Sequence, residues 1–327
     1  MSQKALVEFK DLHTEFYTEA GVVKAVSGVS FQIRPGETVC VVGESGSGKS
    51  VTALSLMRLL ANNAKIVKGE IIFDGRDVLK LKPHEMRRLR GNEIGMIFQE
   101  PMTSLNPVLT VGEQIMEPII EHRMFSKREA RKYAIELIEM VGIPRAHEIV
   151  DAYPHELSGG MRQRIMIAIA LSCEPKLIIA DEPTTALDVT IQAQILDLLR
   201  KLKSEKNVAL MLITHDLGVV AEMADYVVVM YGGRVVEEGK VMEVFKNPRH
   251  PYTEGLLKAK PIIGERKERL YTIPGQVPSP LNLPLYCHFA DRCPYVMPVC
   301  KEQYPDTFID ADGHKVACWL HAEGARA

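Results

Sequence analysis

The chain has 327 residues, 46% of them hydrophobic and 25% charged, with 40 Lys and Arg against 42 Asp and Glu for a formal net charge of −2. That length fits one large domain with a smaller one, or two domains, with enough apolar residues for a sizeable core. The near-neutral balance excludes a basic nucleic-acid footprint. The opening MSQKALVEFKDLHTEFY has no apolar signal-peptide core and no run approaches 18 apolar residues, so the chain reads as soluble and cytoplasmic.

In chain order, alternating strands are predicted at LVEFKDLHTEFY and VVKAVSGVSFQI, with a turn at Pro35-Gly36. A short apolar strand around Cys40 then runs into Gly43-Glu44-Ser45-Gly46-Ser47-Gly48-Lys49-Ser50, and a helix follows with Leu56, Leu59 and Leu60 at i, i+3, i+4. Glycines let a loop turn its N–H groups inward at a helix N-terminus, which makes an anion cradle. In this spacing Lys49 reaches the β- and γ-phosphates of a nucleotide and the Ser50 hydroxyl ligates Mg²⁺. A glycine turn that binds nothing is the plainer alternative, and the strand–loop–helix context weighs against it.

Strand signals return at GEIIFDG and IGMIFQ. Residues 111–143 and 159–173 read as helical; PKLIIADEP, ALMLITHD and DYVVVMYGGRVVEEG read as strands. The order is therefore β/α, a helical insert, then β/α again. Pro261, Pro274, Pro278, Pro280 and Pro284 break any long helix, so an irregular extension is expected there. Cys40 and Cys173, inside apolar stretches, read as buried small hydrophobes.

The apolar run LIIA ends on Asp181-Glu182. Two carboxylates at the end of a buried strand are costly unless they meet a cation. With a phosphate loop elsewhere in the chain, Asp181 is a Mg²⁺ partner and Glu182 is placed to polarise a water; a pair of helix N-cap carboxylates is the alternative. Ser158-Gly159-Gly160, opening the helix MRQRIMIAIAL, is a second glycine-rich anion site at a helix N-terminus. One nucleotide rarely needs two cradles, so the second is expected to serve a nucleotide held by another subunit.

With these motifs assembled, the sequence resembles the ATPase subunits of ABC transporters. GESGSGKS is similar to Walker A, LSGGMRQ to the ABC signature, LIIADEP to Walker B, Gln99 in MIFQ to the Q-loop, TTALD with Asp188 to the D-loop, and His215 in LITHD to the switch histidine. The resemblance implies an α/β P-loop (RecA-like) core with an antiparallel β subdomain and a helical insert. It implies that Gly43, Ser45, Gly46, Ser47, Gly48, Lys49, Ser50 and Val51 bind ATP, that Ser50, Gln99 and Asp181 hold Mg²⁺ directly or through water, and that Glu182 and His215 order the attacking water. Phe16 falls where the family stacks an aromatic on adenine, with Tyr17 as a rival. Ser158, Gly159 and Gly160 complete the site across a dimer interface. Gln99 as a surface polar group and His215 as a satisfied strand-end histidine are the plainer readings.

NPRHPYTEGLL with a proline-rich, cysteine-bearing tail is further similar to the dipeptide, oligopeptide and nickel importers, most of all the dipeptide-importer ATPases. This implies an ATP-hydrolysing subunit that energises an inner-membrane importer of dipeptides or oligopeptides, nickel being the alternative solute. Its implied partners are a second ABC ATPase in a heterodimer, two permease subunits and a periplasmic or extracellular substrate-binding protein, with no nucleic acid. Soluble ABC ATPases of chromosome maintenance need a long coiled coil between Walker A and the signature; residues 51–156 leave no room for one and show no heptads. The expected division is an ATPase domain over 1–260, its helical subdomain about 100–175, and an extension over 261–327. His250-Pro251-Tyr252 reads as packing at the junction.

The extension carries Cys287, Cys293, Cys300 and Cys318, four of the six cysteines of the chain. Structural zinc favours pairs two to four residues apart, which are missing here. Iron–sulfur clusters tolerate looser spacing, and a proline follows Cys293. The sequence therefore predicts a four-cysteine [4Fe–4S] cluster, with Zn²⁺ as the alternative, whose task is to order a segment with little core of its own.

Overall fold

The computed structural model describes residues 4–100, 104–185, 187–259 and 271–322. Part of the stretch after Gln99, Ala186 of the D-loop and Pro261 of the extension lie outside them. In chain order the elements are β1 (Val7–Thr18), β2 (Gly21–Ile33), β3 (Thr38–Val42), α1 (Lys49–Met57), β4 (Ala64–Phe73), β5 (Arg76–Asp77), α2 (Pro83–Leu89) and β6 (Ile94–Ile97). Then come α3 (Val111–Arg123), α4 (Lys127–Met140), α5 (Ala146–Ile149), α6 (Gly159–Leu171), β7 (Leu177–Asp181), α7 (Val189–Lys206) and β8 (Ala209–Thr214). The chain continues through α8 (Leu217–Met223), β9 (Tyr226–Tyr231), β10 (Arg234–Lys240), α9 (Val241–Lys246), α10 (Pro251–Ala259), β11 (Phe308–Ile309) and β12 (Lys315–Val316). The class is α/β, as the sequence predicts.

Two compact units form. In one, drawn from residues 4–33, 39–79 and 214 onward, β1 pairs antiparallel with β2 and β4, and β4 with β5. The long alternating strands bury one face, where Phe9 and Phe31 stack with centroids 4.6 Å apart. In the same unit β3 lies parallel to β9, β9 antiparallel to β10, β10 to β12 and β12 to β11. The C-terminal extension thus adds two short strands to a sheet that also carries β3. The five residues of β3 are buried, which fits a strand covered on both faces.

The helix after the phosphate loop is shorter than its leucines suggest. It ends at Met57, because Arg58 takes a left-handed conformation (φ 50°) and its N–H turns back to the carbonyls of Leu54 and Ser55. Leu59 and Leu60 therefore fall outside it.

The other unit is built from residues 34–38 and 80–213. Its parallel strands β6, β7 and β8 pair from Ile94↔Leu177 to Ile97↔Ala180 and from Leu177↔Ala209 to Asp181↔Ile213. The helical stretch after residue 110 is two helices. Met124 (φ 55°) stops α3, and Ser126 starts α4 by accepting the Glu129 N–H while the Glu129 carboxylate takes the Ser126 N–H. Thr110 and Glu113 start α3 in the same way. α6 lies across β6 so closely that a Cβ on Gly95 would stand 2.3 Å from the Ala170 carbonyl oxygen.

That crossing makes Gly95→Ala an overpacking change against backbone, expected to lower stability by about 1–3 kcal/mol. Gly159→Ala, whose Cβ would meet nothing within 4 Å, should cause no loss. Thermal unfolding followed by circular dichroism separates the two; an unchanged midpoint for Gly95→Ala would show that the crossing can open freely.

Candidate functional site

The phosphate-loop half of the site is set by backbone contact. A Cβ on Gly43 (φ 152°) would stand 2.1 Å from the Met230 carbonyl oxygen, and one on Gly48 (φ 96°) 2.4 Å from that of Ala25. Only glycine permits the loop to run this close to β9 and β2. Ser45 and Gly46 are exposed at the tip; Ser47 is buried. Lys49 is buried too, its Nζ donating to the carbonyls of Gly43 (2.8 Å) and Glu44 (2.9 Å), so the cation is held over the loop. Gly48 (φ 96°) caps α1 and, having no side chain, makes no side-chain capping bond at the helix N-terminus.

Beside α1, Thr14 of β1 shares a 3.0 Å hydrogen bond with Ser55. Phe16, two residues along, is half-buried. Tyr17 is exposed and engaged otherwise, its hydroxyl donating to Glu15 (3.2 Å) and the Lys65 ammonium lying 5.4 Å from its ring centroid. In the same unit His215 is exposed just before α8. Its neighbours Thr214 and Asp216 fix the turn: the Asp216 N–H donates to Thr214 Oγ1 at 3.0 Å, and Asp216 caps α8 through the Gly218 N–H at 2.6 Å.

Within the other unit, β6 and β7 run in parallel register, so Gln99 and Glu182 leave the same end of the sheet. Gln99 Nε2 donates to Glu182 Oε2 at 3.3 Å, and Thr185 Oγ1 donates to the same oxygen at 2.9 Å. Asp181 is buried at the end of β7. Glu182 holds φ 46°, in the left-handed region that a non-glycine residue adopts at a cost, while its N–H bonds the Ile213 carbonyl at 2.9 Å. Ser158 caps α6, its Oγ accepting the Met161 N–H at 3.3 Å. Gly159 opens onto free space, and Gly160 lies against the Ile191 side chain, whose own N–H caps onto Asp188 at 2.9 Å. The signature segment thus lies against the first turn of α7. Thr185 lies inside the TTALD motif, but its bond to Glu182 was not legible in the sequence, and Ile191 carries no motif signal.

The donors fit the expected ligands. A lysine at a helix N-terminus suits phosphate, and a serine hydroxyl, a glutamine amide and a carboxylate are the hard oxygen donors that Mg²⁺ takes.

The cysteine tail requires a correction. Among the described residues no three His, Cys, Asp or Glu side chains group so that they could hold a metal ion, so the predicted [4Fe–4S] cluster on Cys287, Cys293, Cys300 and Cys318 is not supported, nor is its zinc alternative. Cys287 and Cys300 meet through backbone, N–H to carbonyl at 3.2 Å. Burial pushes the Cys287 thiol up to about 11 and Cys318 up to about 12, and raises Cys293. The segment takes its order from the nucleotide unit instead. His314 Nε2 meets Glu237 Oε1 at 2.7 Å, Arg249 pairs with Asp310, His288 Nδ1 lies 2.8 Å from the Gly232 carbonyl, and the Arg234 guanidinium sits 4.0 Å from the Tyr304 ring centroid.

His250-Pro251-Tyr252 packs as expected, and the place it packs is the phosphate loop: the Glu44 N–H donates to Tyr252 Oη at 2.8 Å, and the Tyr252 N–H donates to His250 Nδ1 at 3.1 Å. Tyr252 and Tyr231 are both fully buried, with ring centroids 4.6 Å apart.

Residues 26–185 match the family model described as ABC transporter, and residues 236–300 the one described as Oligopeptide/dipeptide transporter, C-terminal region. The chain is 54% identical over 319 residues to the oligopeptide transport ATP-binding protein AppD of Bacillus subtilis, covering 97% of each. It is 50% identical to the dipeptide transport ATP-binding protein DppD of the same organism, covering 98% of this chain and 96% of that one. Among solved structures it is similar to the dimeric ATP-binding cassette MJ0796 in a post-hydrolysis state bound to ADP and Pi, with TM-score 0.65 and 32% identity over 72% of this chain and 98% of that one.

His250, behind the loop, gives the unit an acid sensitivity. Burial pulls its imidazole down to about 4 from an ordinary 6.5. The unfolded chain then binds a proton that the folded chain refuses, so stability falls as pH drops from 6.5 toward 4, by up to about 3 kcal/mol. Thermal unfolding midpoints across that window should slope for the native chain and flatten for His250→Gln; equal slopes would remove His250 as the cause.

Proposed function

Because the chain belongs to the ABC transporter family, we propose that it is the ATP-hydrolysing subunit that energises import of oligopeptides or dipeptides. The match of residues 236–300 to the peptide-transporter C-terminal region carries the choice of solute. The relatives described above are named for peptide transport, which is why peptide is preferred to nickel. Among the described residues no helix is long and apolar enough to cross a membrane, so the work of hydrolysis has to be handed to a spanning partner. Two permease subunits, a substrate-binding protein outside the membrane and a second ABC ATPase complete the assembly in this reading. The chain then sits peripherally on the cytoplasmic face, with the ATPase over 1–260, its helical subdomain over about 100–175 as the docking part, and an extension over 261–327.

Phosphoryl transfer asks for positioning and charge neutralisation more than covalent chemistry. Lys49 and the amides of residues 43–51 hold the phosphates, and Phe16 supports the adenine. Ser50, Gln99 and Asp181 would hold Mg²⁺, which when bound neutralises phosphate charge. Glu182, fixed by Thr185, Gln99 and its own constrained backbone, orients the attacking water, and His215 contacts that water or the γ-phosphate. Ser158, Gly159 and Gly160 act on the nucleotide of the opposing subunit.

Glu182→Gln keeps the shape and removes the carboxylate. ATP hydrolysis by the assembled transporter should fall about 10²- to 10³-fold, with binding of a fluorescent ATP analogue retained. Lys49→Ala should abolish that binding. Normal turnover in the first variant, or normal affinity in the second, would refute the assigned role.

Ser158→Arg should leave the chain's own ATP affinity nearly intact and block hydrolysis in the partner's site. Loss of its own binding would mean that the signature acts within the subunit.

A further inference from the structure

Glu44 is an odd residue for the loop it occupies. It follows Gly43, and its carbonyl accepts from the Lys49 ammonium at 2.9 Å and from the Ser47 N–H at 3.2 Å. A carboxylate here puts a negative charge beside the group that meets polyanionic phosphate, where like charges repel. In this chain the charge is met from 248 residues away. Arg292, in the short turn Ala290–Arg292 of the C-terminal extension, forks onto Glu44, Nη1 to Oε2 at 2.7 Å and Nη2 to Oε1 at 3.1 Å. The arginine side chain is 5% exposed and the carboxylate 31%.

The fork is itself held on every side. Arg292 Nε donates to the Pro274 carbonyl (2.9 Å), Nη2 to the Ile273 carbonyl (3.3 Å) and Nη1 to Tyr231 Oη (3.2 Å). The Phe289 ring packs edge-on to Tyr231 and lies 5.9 Å from the guanidinium. Gly275 (φ 79°) lets the chain pass under the arginine stem, since a Cβ there would stand 3.0 Å from Arg292 Cγ. A bidentate guanidinium whose donors are filled in this way is preorganised for one carboxylate.

We propose that Arg292 is a positioning residue for the nucleotide: by cancelling the Glu44 charge and fixing the Glu44 backbone, it makes the phosphate loop able to accept ATP, so that the C-terminal extension licenses nucleotide binding. The inference rests on the reading of residues 43–50 as the ATP cradle. It gives the extension a task for the ATP site in place of the metal that the sequence led one to expect, and it accounts for why a peptide-transporter C-terminal region is ordered against the nucleotide unit.

The test is binding of a fluorescent ATP analogue to the purified full-length chain, with Lys49→Ala as control and thermal unfolding to verify folding. Arg292→Gln should weaken affinity by about tenfold, the size expected of one uncompensated charge near the phosphates, and added salt should shrink that loss. Combining it with Glu44→Gln should recover affinity to within about threefold of the native chain, which no purely structural role of the arginine would allow. A folded Arg292→Gln with native affinity, or a folded double variant as weak as the single one, overturns the proposal. If Arg292→Gln does not fold, the double variant decides: folded with recovered binding supports the proposal, and failure of both to fold makes the arginine a structural residue and overturns it. Native affinity in Lys49→Ala would instead strike at the ATP cradle itself.

Discussion

The nucleotide-binding unit depends on how closely the chain between β3 and α1 can approach its neighbours. At Gly43 the distance from a would-be Cβ to the Met230 carbonyl is 2.1 Å, a separation that no side chain tolerates. The loop is therefore pressed against the end of β9, and the rest of the unit is arranged to keep it there. β3 pairs with β9 residue for residue from Val39↔Tyr226 to Val42↔Val229, which fixes where the loop begins. Thr52 Oγ1 donates to the Gly48 carbonyl at 2.9 Å and fixes where it ends. Tyr252 and Arg292 hold Glu44 from the outer side. A loop held at both ends and in the middle presents its amides without further ordering cost, which is what electrostatic preorganisation requires.

The carboxylate half follows another logic with the same aim. Here the strain is visible in the backbone: Glu182 sits at φ 46°. Such a conformation persists only where its surroundings over-determine it. Hydrogen bonds hold it, among them one from the Glu182 N–H, one from the Thr185 N–H to the Glu182 carbonyl, and two converging on a single carboxylate oxygen from Thr185 and Gln99. With Oε2 held from both sides, the carboxylate is fixed in one orientation.

What the sequence made legible was local. A phosphate loop, a strand ending in two carboxylates and a serine–glycine helix start are each written in under ten consecutive residues, because backbone turns and helix termini are determined by their own residues. Contacts across long separations left no trace. Nothing about Arg292 announced a partner 248 positions earlier, and the TTALD motif did not announce that Thr185 would bond Glu182. The end of α1 escaped for a related reason: the leucine spacing continues past Met57, but Arg58 adopts a left-handed conformation that periodicity does not report. The cysteines were the reverse case. Four thiols in a short segment are conspicuous, and composition alone suggested a metal, yet ligation needs side chains that converge on one point, and spacing does not determine convergence.

The way the extension is ordered bears on what it is for. Buried ion pairs are poor sources of net stability, since desolvating two charges costs about as much as their attraction returns, and an apolar pair of similar volume would often serve as well. A segment that needed only to be anchored would be anchored more cheaply by hydrophobes, as Tyr231, Tyr252 and Phe289 already do nearby. The Arg292–Glu44 pair and the His314–Glu237 hydrogen bond are instead directional, and each joins the extension to a residue outside it at a defined atom. Directional contacts fix register where apolar ones fix only proximity. Register matters most where one end of the contact lies in the phosphate loop, because a displacement of that loop by an ångström is enough to misplace the groups that meet the nucleotide.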